Sequence, residues 1–381
     1  MGKLVISKLN GRDVLFQFND DHEVVLIKYI NNTIVDNIYV GQITEINKGL
    51  RAAFVSIGKD SKVFLPLSEF KNNEYKCGDR LLVQIKTDAL KTKLPQAGLD
   101  ICIPGQFVVC HLDSKGISVS KKLSEPVKND LLKAVKDSDI EGLDEFGWVI
   151  RTNAADLLED SIEPLLCEIK DFVKTARFIS NEAQYRTLYS KIYEPSSALV
   201  GIISDIAYSE YDAIITDNKE FYDILQNTDL KDSKEIKFHA DEYVSLKNLH
   251  SLETYLNRAL DKKVYLDCGG YLIIEPTEAM TVIDVNSGKA EGKGKDSREY
   301  IMKINRQAAV EIARQLKIRN ISGMIMVDFI SMKADEDNNK IMDILKSEVG
   351  KDRVLTNVVD MTPLGIVEIT RKKIDIPLIQ Y

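Results

Sequence analysis

Cysteine and histidine are scarce in this chain and are never grouped. Cys77, Cys102, Cys110, Cys167 and Cys268 include no CxxC pair, and their odd number excludes a fully paired disulfide framework. His22, His111, His239 and His250 have no HExxH or cysteine company, so the usual zinc spacings are missing. Any metal would therefore be held by oxygen. Long apolar runs are absent as well. No window approaches the length of about 18 apolar residues that a membrane helix needs, and MGKLVISKLNGRDVLFQF alternates where a signal peptide has an apolar block. A cytoplasmic protein with no membrane partner is the expectation. What remains is globular composition: 44% hydrophobic and 29% charged over 381 residues. That length suits two or three folding units at roughly 100 to 200 residues each.

Net charge is −8, so the long-range field opposes an anionic partner. The distribution is uneven. Acids predominate from Asp205 to Glu253, whereas Thr281 to Lys333 carries ten Lys/Arg against six Asp/Glu. A basic surface within an acidic chain is either a phosphate footprint or a solvated helix face.

Residues 1–35 read as hairpin strands broken at Asn10-Gly11 and Asn19-Asp20-Asp21. Short strands continue from Asn37 to about Gln106 and suit a small barrel. Phe54 and Phe64 lie on two of them, with Lys62, Lys86, Lys91 and Lys93 nearby. Such rings are either stacking platforms for single-stranded nucleic acid, flanked by phosphate-binding lysines, or barrel core. Residues 107–195 mix the strands FVVCHL and GISVS with helical stretches, including AADLLEDSIEPLLCEIKDFVKTARFI and NEAQYRTLYSKIY. In WVIRTNAAD a strand ends at Arg151-Thr152, and Asn153 and Asp156 offer helix-start chemistry. A guanidinium beside a hydroxyl there suits a terminal phosphate, and an ordinary helix cap explains the same residues.

The densest chemistry follows residue 270. Strand YLIIE leads into strand AMTVIDVNSG, which puts Asp284 and Asn286 where the strand gives way to the loop GKAEGKGKDS. That loop imitates a P-loop and fails as one, since Lys293 stands in the second glycine's place and Gly294-Lys295 is followed by Asp296. SREYIMKINRQAAVEIARQLKIRN is a long helix with Ile301, Ile304, Ala308, Ile312 and Leu316 on one stripe. MIMVDFISM is then an apolar strand with one charge, Asp328. If the two strands are parallel, this crossover brings Asp284 and Asp328 to one sheet edge, where open α/β sheets bind ligands. A carboxylate buried in MIMVDFI needs a proton, a base or a metal. Two carboxylates and an amide form a partial Mg²⁺ shell, and a salt bridge from Asp328 to Arg314 or Arg319 is the other reading.

The segments GGYLIIEPTEAMTVIDVNSGK, EIARQLKIRNISGMIMVDFISM and TPLGIVEITRKK, in that order and spacing, resemble the catalytic core of the bacterial ribonuclease E/G family of endoribonucleases. NIYVGQITEINKGLRAAFVSIGKDSKVFLPL resembles that family's OB barrel of the ribosomal S-one type. The resemblance implies an α/β multidomain fold. A split ribonuclease H-like domain (1–35 and 196–260) would carry an inserted OB barrel (36–104) and a 5′-sensor region (105–195), followed by a deoxyribonuclease I-like catalytic subdomain (261–381). It also implies roles by position. Asp284 and Asp328 match magnesium-binding aspartates, and Asn286 matches the asparagine supporting the attacking water or scissile phosphate. Arg151 and Thr152 match the grip on a 5′-monophosphate, with Gly105 and Val109 as pocket wall. Phe54, Phe64 and Lys93 match RNA-contacting barrel positions, and Lys121-Lys122 stands where the family often has two arginines. Where the family usually carries a CPxC-type zinc link between protomers, this sequence reads RKKIDIPLIQY. No zinc is expected on that ground, and the oligomeric state stays open.

The expectation is a Mg²⁺-dependent endoribonuclease, with Mn²⁺ able to substitute, that cuts single-stranded RNA to 5′-phosphate and 3′-hydroxyl ends in rRNA processing and mRNA decay. No histidine pair offers the metal-free chemistry. The alternative is a non-catalytic RNA-binding protein of the same architecture. A third reading, an enzyme of small phosphorylated metabolites, leaves Phe54, Phe64 and Lys93 without a purpose.

Overall fold

Apolar alternation and an Asn-Gly turn build the first sheet. Strands Lys3–Leu9 and Arg12–Phe18 pair antiparallel, with Val24–Ile30 next to the second, and Asn10 and Gly11 take φ of 51° and 79°, the left-handed pair that a two-residue hairpin requires. Strands Ala213–Thr216 and Glu235–Phe238 then add in parallel beside Lys3–Leu9. Val5, Val14, Phe16 and Phe18 pack beneath, against Leu246, Leu252 and Leu256.

The computed structural model describes residues 2–379 apart from 32, 72–73, 90–92, 160, 184, 196, 242, 289–296, 333 and 374–375. The loop expected over GKAEGKGKDS lies almost wholly outside the described residues, as does Lys91. The chain divides into two compact units: Met1–Tyr29 with Tyr211–Tyr222 and Lys234–Tyr381, and Ile30–Glu210 with Asp223–Ser233. Among the described residues no helix is long and apolar enough to cross a membrane.

The first unit also holds a six-stranded sheet in the order Lys263–Tyr265, Tyr271–Pro276, Met280–Asn286, Gly323–Asp328, Ile366–Arg371, Thr356–Met361. Met280–Asn286 and Gly323–Asp328 are parallel, joined by helix Ser297–Ile318, and the other neighbours are antiparallel. One face is covered. Leu272, Ile274, Ile283, Val285, Ile325 and Val327 bury against Ile304, Ala308, Ile312 and Leu316 of that helix and against Ile341 and Leu345 of helix Asp335–Gly350. Four of the five expected stripe residues are thus the buried ones, and Ile301, near the helix start, is half-buried outside that core.

In the second unit, Ile38–Asn47, Ala52–Ser56, Lys62–Pro66, Gln96–Gly98 and Arg80–Thr87 close into a five-stranded barrel, because Ile38–Asn47 pairs with both Ala52–Ser56 and Arg80–Thr87. This is an OB-type barrel. A four-stranded sheet, Gly116–Val119, Gly147–Ile150, Val108–His111 and Cys102–Pro104, packs with helices Glu125–Lys136 and Glu163–Glu182.

Two local expectations fail. Among its described residues NEAQYRTLYSKIY is helical only at Asn181 and Glu182: Tyr189 takes φ of 70° and Lys191–Tyr193 is a strand paired with Tyr39 and Ile38. A free strand edge on the barrel outweighs weak helix propensity there. The stretch beginning AADLLED also breaks, into a 3₁₀ segment Thr152–Glu159 and the α-helix Glu163–Glu182, with Pro164 in the helix's first turn, where its missing N–H costs nothing.

Candidate active site and nucleic-acid interfaces

Asp284 and Asp328 are register partners on the two parallel strands, so their Cα atoms sit about one strand spacing, roughly 4.8 Å, apart. Both are exposed. This corrects the expectation of a desolvated Asp328. MIMVDFI is apolar on both sides, but the pleat sends Ile325 and Val327 inward and Met324 and Asp328 to the uncovered face. The salt-bridge reading also fails. Arg314 is engaged by Glu311 and by the carbonyl of Val24, and Arg319 donates to Gln315 and to the carbonyls of Asp261 and Arg258. Asn286, on the same face, donates from Nδ2 to Asp284 Oδ2 at 2.8 Å.

The chain holds these strand ends tightly. Gly270 lies so close that a Cβ would stand 2.8 Å from the Asn286 carbonyl oxygen, and Gly288, at φ +70°, would bring one to 2.5 Å from that of Gly269. Only glycine fits such an approach. The crossover helix fastens the rest. Gln307 accepts from the Cys268 N–H at 2.9 Å and Tyr300 donates to the Ser287 carbonyl at 3.3 Å. Asn305, fully buried, donates to the Ile330 carbonyl at 2.8 Å and accepts from the Ile330 N–H at 3.2 Å. Sequence reasoning missed Asn305, which looked like one more polar residue on an amphipathic helix. The donor set at the strand ends is all oxygen, two carboxylates and an amide, and it fits a hard cation that keeps most of its water. Among the described residues no group of three His, Cys, Asp or Glu forms a denser cage.

On the barrel, Phe54 and Phe64 are cross-strand partners with ring centroids 6.2 Å apart and edge-to-face. Their neighbours Ala53, Val55, Val63 and Leu65 fill the core. The two rings are half-buried on the outer surface, so the core alternative is excluded by the pleat. Lys62 and Lys93 are exposed. Lys86 is not available to solvent partners in the same way: its ammonium donates to Gln84 Oε1 and the Asp100 carbonyl, each at 2.6 Å.

Around Arg151 the described contacts are dense. Its guanidinium donates to the Gly105 carbonyl and to Asp205 Oδ1, the latter at 2.8 Å. Thr152 Oγ1 lies 3.5 Å from Ser120 Oγ, which leads into the exposed Lys121 and Lys122. Val109 pairs with Val149 and with Pro104, the residue before Gly105. Asn153 and Asp156 do not cap a helix. Asn153 donates to the carbonyls of Ser204 and Ile206, and Asp156 accepts from the Ser209 N–H at 3.1 Å; tertiary partners outcompete the local cap. Glu168, which no motif marked, organises the loop. Its carboxylate accepts from the N–H groups of Gln106, Phe107 and Val108 at 2.7, 2.8 and 2.9 Å, and a Cβ on Gly105 would come within 2.4 Å of it. Burial pushes this carboxyl up to about 7, against the pull of those N–H bonds and of Arg151.

The fold and these surfaces define a class: an α/β protein with an OB-type barrel and a two-aspartate site at the carboxyl ends of parallel strands. The model of the ribonuclease E/G family matches residues 102–374. The chain is 31% identical to ribonuclease G of Haemophilus influenzae over 378 residues, 92% of this chain and 75% of that protein. It is 29% identical to ribonuclease G of Escherichia coli K12 over 373 residues, with the same coverage. With ribonuclease E of Synechocystis sp. it shares 30% over 358 residues, 89% of this chain and about half (52%) of that protein. The chain belongs to the ribonuclease E/G family.

Proposed function

We propose that this chain is a Mg²⁺-dependent endoribonuclease that cuts single-stranded RNA to 5′-phosphate and 3′-hydroxyl ends in rRNA processing and mRNA decay, and that it reads a 5′-monophosphate. Endoribonuclease activity accords with its family. The observation that carries the site is the register pairing of Asp284 with Asp328 on an uncovered face. Two like charges a strand apart repel each other and any phosphodiester, so the pair needs a divalent counter-charge before RNA can approach. Asp284 and Asp328 would hold Mg²⁺, and Mn²⁺ would serve in its place. Mg²⁺, when bound, supplies Lewis acidity toward the scissile phosphate and makes water more acidic. Asn286, tied to Asp284, presents its amide to water or to the phosphate. Phe54 and Phe64 stack bases, with Lys93 beside them for phosphate.

At the sensor, Arg151 and Thr152 take the terminal phosphate, Lys121 and Lys122 add positive charge, and Gly105 and Val109 shape the wall. Asp205 is a placeholder anion. It keeps the guanidinium ordered, and a phosphate replaces its single bond with a bidentate grip. The ribonuclease H-like reading of the first sheet and the deoxyribonuclease I-like reading of the last are proposed with the same architecture, supported by the sheet orders.

Cleavage of a fluorescent single-stranded RNA across a Mg²⁺ titration tests the reading. Asp284→Asn and Asp328→Asn are each expected to lose at least 100-fold in kcat while unfolding no earlier than the parent, since neutralising one of two opposed carboxylates relieves about 0.2 to 1 kcal/mol. Parent-level cleavage by both variants at limiting Mg²⁺ would show that the centre lies elsewhere. For the sensor, Arg151→Ala is expected to cut the rate ratio of 5′-monophosphorylated over 5′-hydroxylated RNA by fivefold or more. An equal loss on both substrates would assign Arg151 to folding instead.

A further inference from the structure

On the uncovered face of the six-stranded sheet, the rows beside the aspartates contain aromatic residues that the reading above leaves unused. Lys263 pairs with Ile273, Ile273 with Asp284 and Asp284 with Asp328. The next row runs Tyr265, Tyr271, Asn286. Val264, between the two outward residues of its strand, packs into the core, so Lys263 and Tyr265 share the face of the aspartates. The tyrosine rings lie 6.4 Å apart and tilted. The Lys263 ammonium caps both, 3.8 Å from the centroid of Tyr271 and 4.8 Å from that of Tyr265. Neighbouring Lys262 spends its charge on Glu275 at 3.2 Å, whereas Lys263 is held on the rings. Tyr265 is 73% exposed.

An aromatic pair of this size left open to water has a cost unless something covers it. The charge at its centre is positive, which disfavours an apolar segment and favours an anion carrying a flat π-system. A nucleotide has both parts. We propose that Tyr265, Tyr271 and Lys263 form a subsite for the nucleotide adjoining the scissile bond, its base stacked on Tyr265 and its phosphate neutralised by Lys263. Two strand spacings of about 4.8 Å put Lys263 about 10 Å from Asp284, the reach of a neighbouring nucleotide. Stacking accepts every base, so the subsite contributes affinity and register with little sequence preference. This inference rests on the reading of the adjoining aspartates as an RNA-cleaving centre.

The test is an abasic walk. Single-stranded RNA with one cleavage site is made with one base removed at successive positions on either side of it, and each is cleaved by the parent protein and by Tyr265→Ala and Tyr265→Phe. One position is expected to raise KM about fivefold or more with the parent. Tyr265→Ala is expected to raise KM on complete RNA by a similar factor, and the two losses should not multiply when combined. Tyr265→Phe, which keeps the ring, should stay near the parent. Lys263→Gln should lower the magnitude of the slope of log affinity against log salt by about one contact. A flat abasic walk on the parent overturns the subsite even if Tyr265→Ala fails to fold. So do losses that multiply independently, and so does a halving of the mass in light scattering on Tyr265→Ala, which would mean that a second copy of the chain covers this face. A parent that cuts no RNA in Mg²⁺ sinks the nuclease reading itself, a result distinct from cleavage without a stacking position.

Discussion

At the scale of single residues, the molecule repeatedly places a charge where local sequence offers no hint of its partner. Glu168 is sixty residues from the loop it supports, and Arg151 meets Asp205 fifty-four positions away. The Glu168 carboxyl is shifted up from its ordinary value of 4.5 to about 7, with burial the largest cause. The sign follows from linkage. The folded state holds this proton more tightly than the unfolded chain, so the contribution to stability is full below about pH 4.5 and is lost as pH rises through about 7. Glu168→Gln carries no such titration. Urea unfolding at pH 5 and pH 8 is expected to show the parent losing stability relative to Glu168→Gln by an amount of order 3 kcal/mol at most. A difference that is the same at both pH values would mean that the carboxylate ionises in the fold without penalty.

At the scale of elements, helix Ser297–Ile318 does more than cross over the sheet. One side supplies core through Ile304, Ala308 and Ile312, and the same helix reaches both strand ends through Tyr300 and Asn305 and the neighbouring turn at Cys268 through Gln307. Asn305 clamps both backbone groups of Ile330, two residues beyond Asp328. Removing the amide strands a half-buried N–H and C=O, each costing about 1 kcal/mol, the low end of the range for full burial. Asn305→Ala is therefore expected to lose about 2 kcal/mol in urea unfolding and, at temperatures where it stays folded, to lose at least tenfold in kcat with KM within about twofold. Full kcat in a destabilised variant would make the clamp structural alone. Within the barrel, the same pleat logic separates Phe54 and Phe64 on the outer surface from Val55 and Val63 in the core.

At the scale of the whole molecule, a net charge of −8 opposes RNA at a distance, and binding must come from local positive groups. Lys62, Lys93, Lys121 and Lys122 are exposed, and each phosphate neutralised on a single strand contributes about −0.7 to the slope of log affinity against log salt. Measured across salt with inactive Asp284→Asn protein, the affinity for single-stranded RNA is expected to fall with a slope of about −2 or steeper. A flat response would remove phosphate contacts from the account and leave stacking alone. The division into two units places the barrel and the Arg151 surface in one and the aspartate sheet in the other.

Much of this was decided by sequence alone, where the deciding physics is local. Period-two alternation and Asn10-Gly11 determine the first hairpin, and a helix between two apolar strands offers the crossover that, once the strands run parallel, puts Asp284 beside Asp328. Tertiary structure decided the rest. The exposure of Asp328 could not be read from MIMVDFI, because a strand apolar on both faces conceals its own alternation until helices cover one side. Lys191–Tyr193 became a strand because the barrel had an edge to fill. The anchors of the Arg151 loop, Glu168 and Asp205, come from distant segments, and no spacing rule links a carboxylate to backbone N–H groups or a guanidinium that only the fold brings within hydrogen-bond reach.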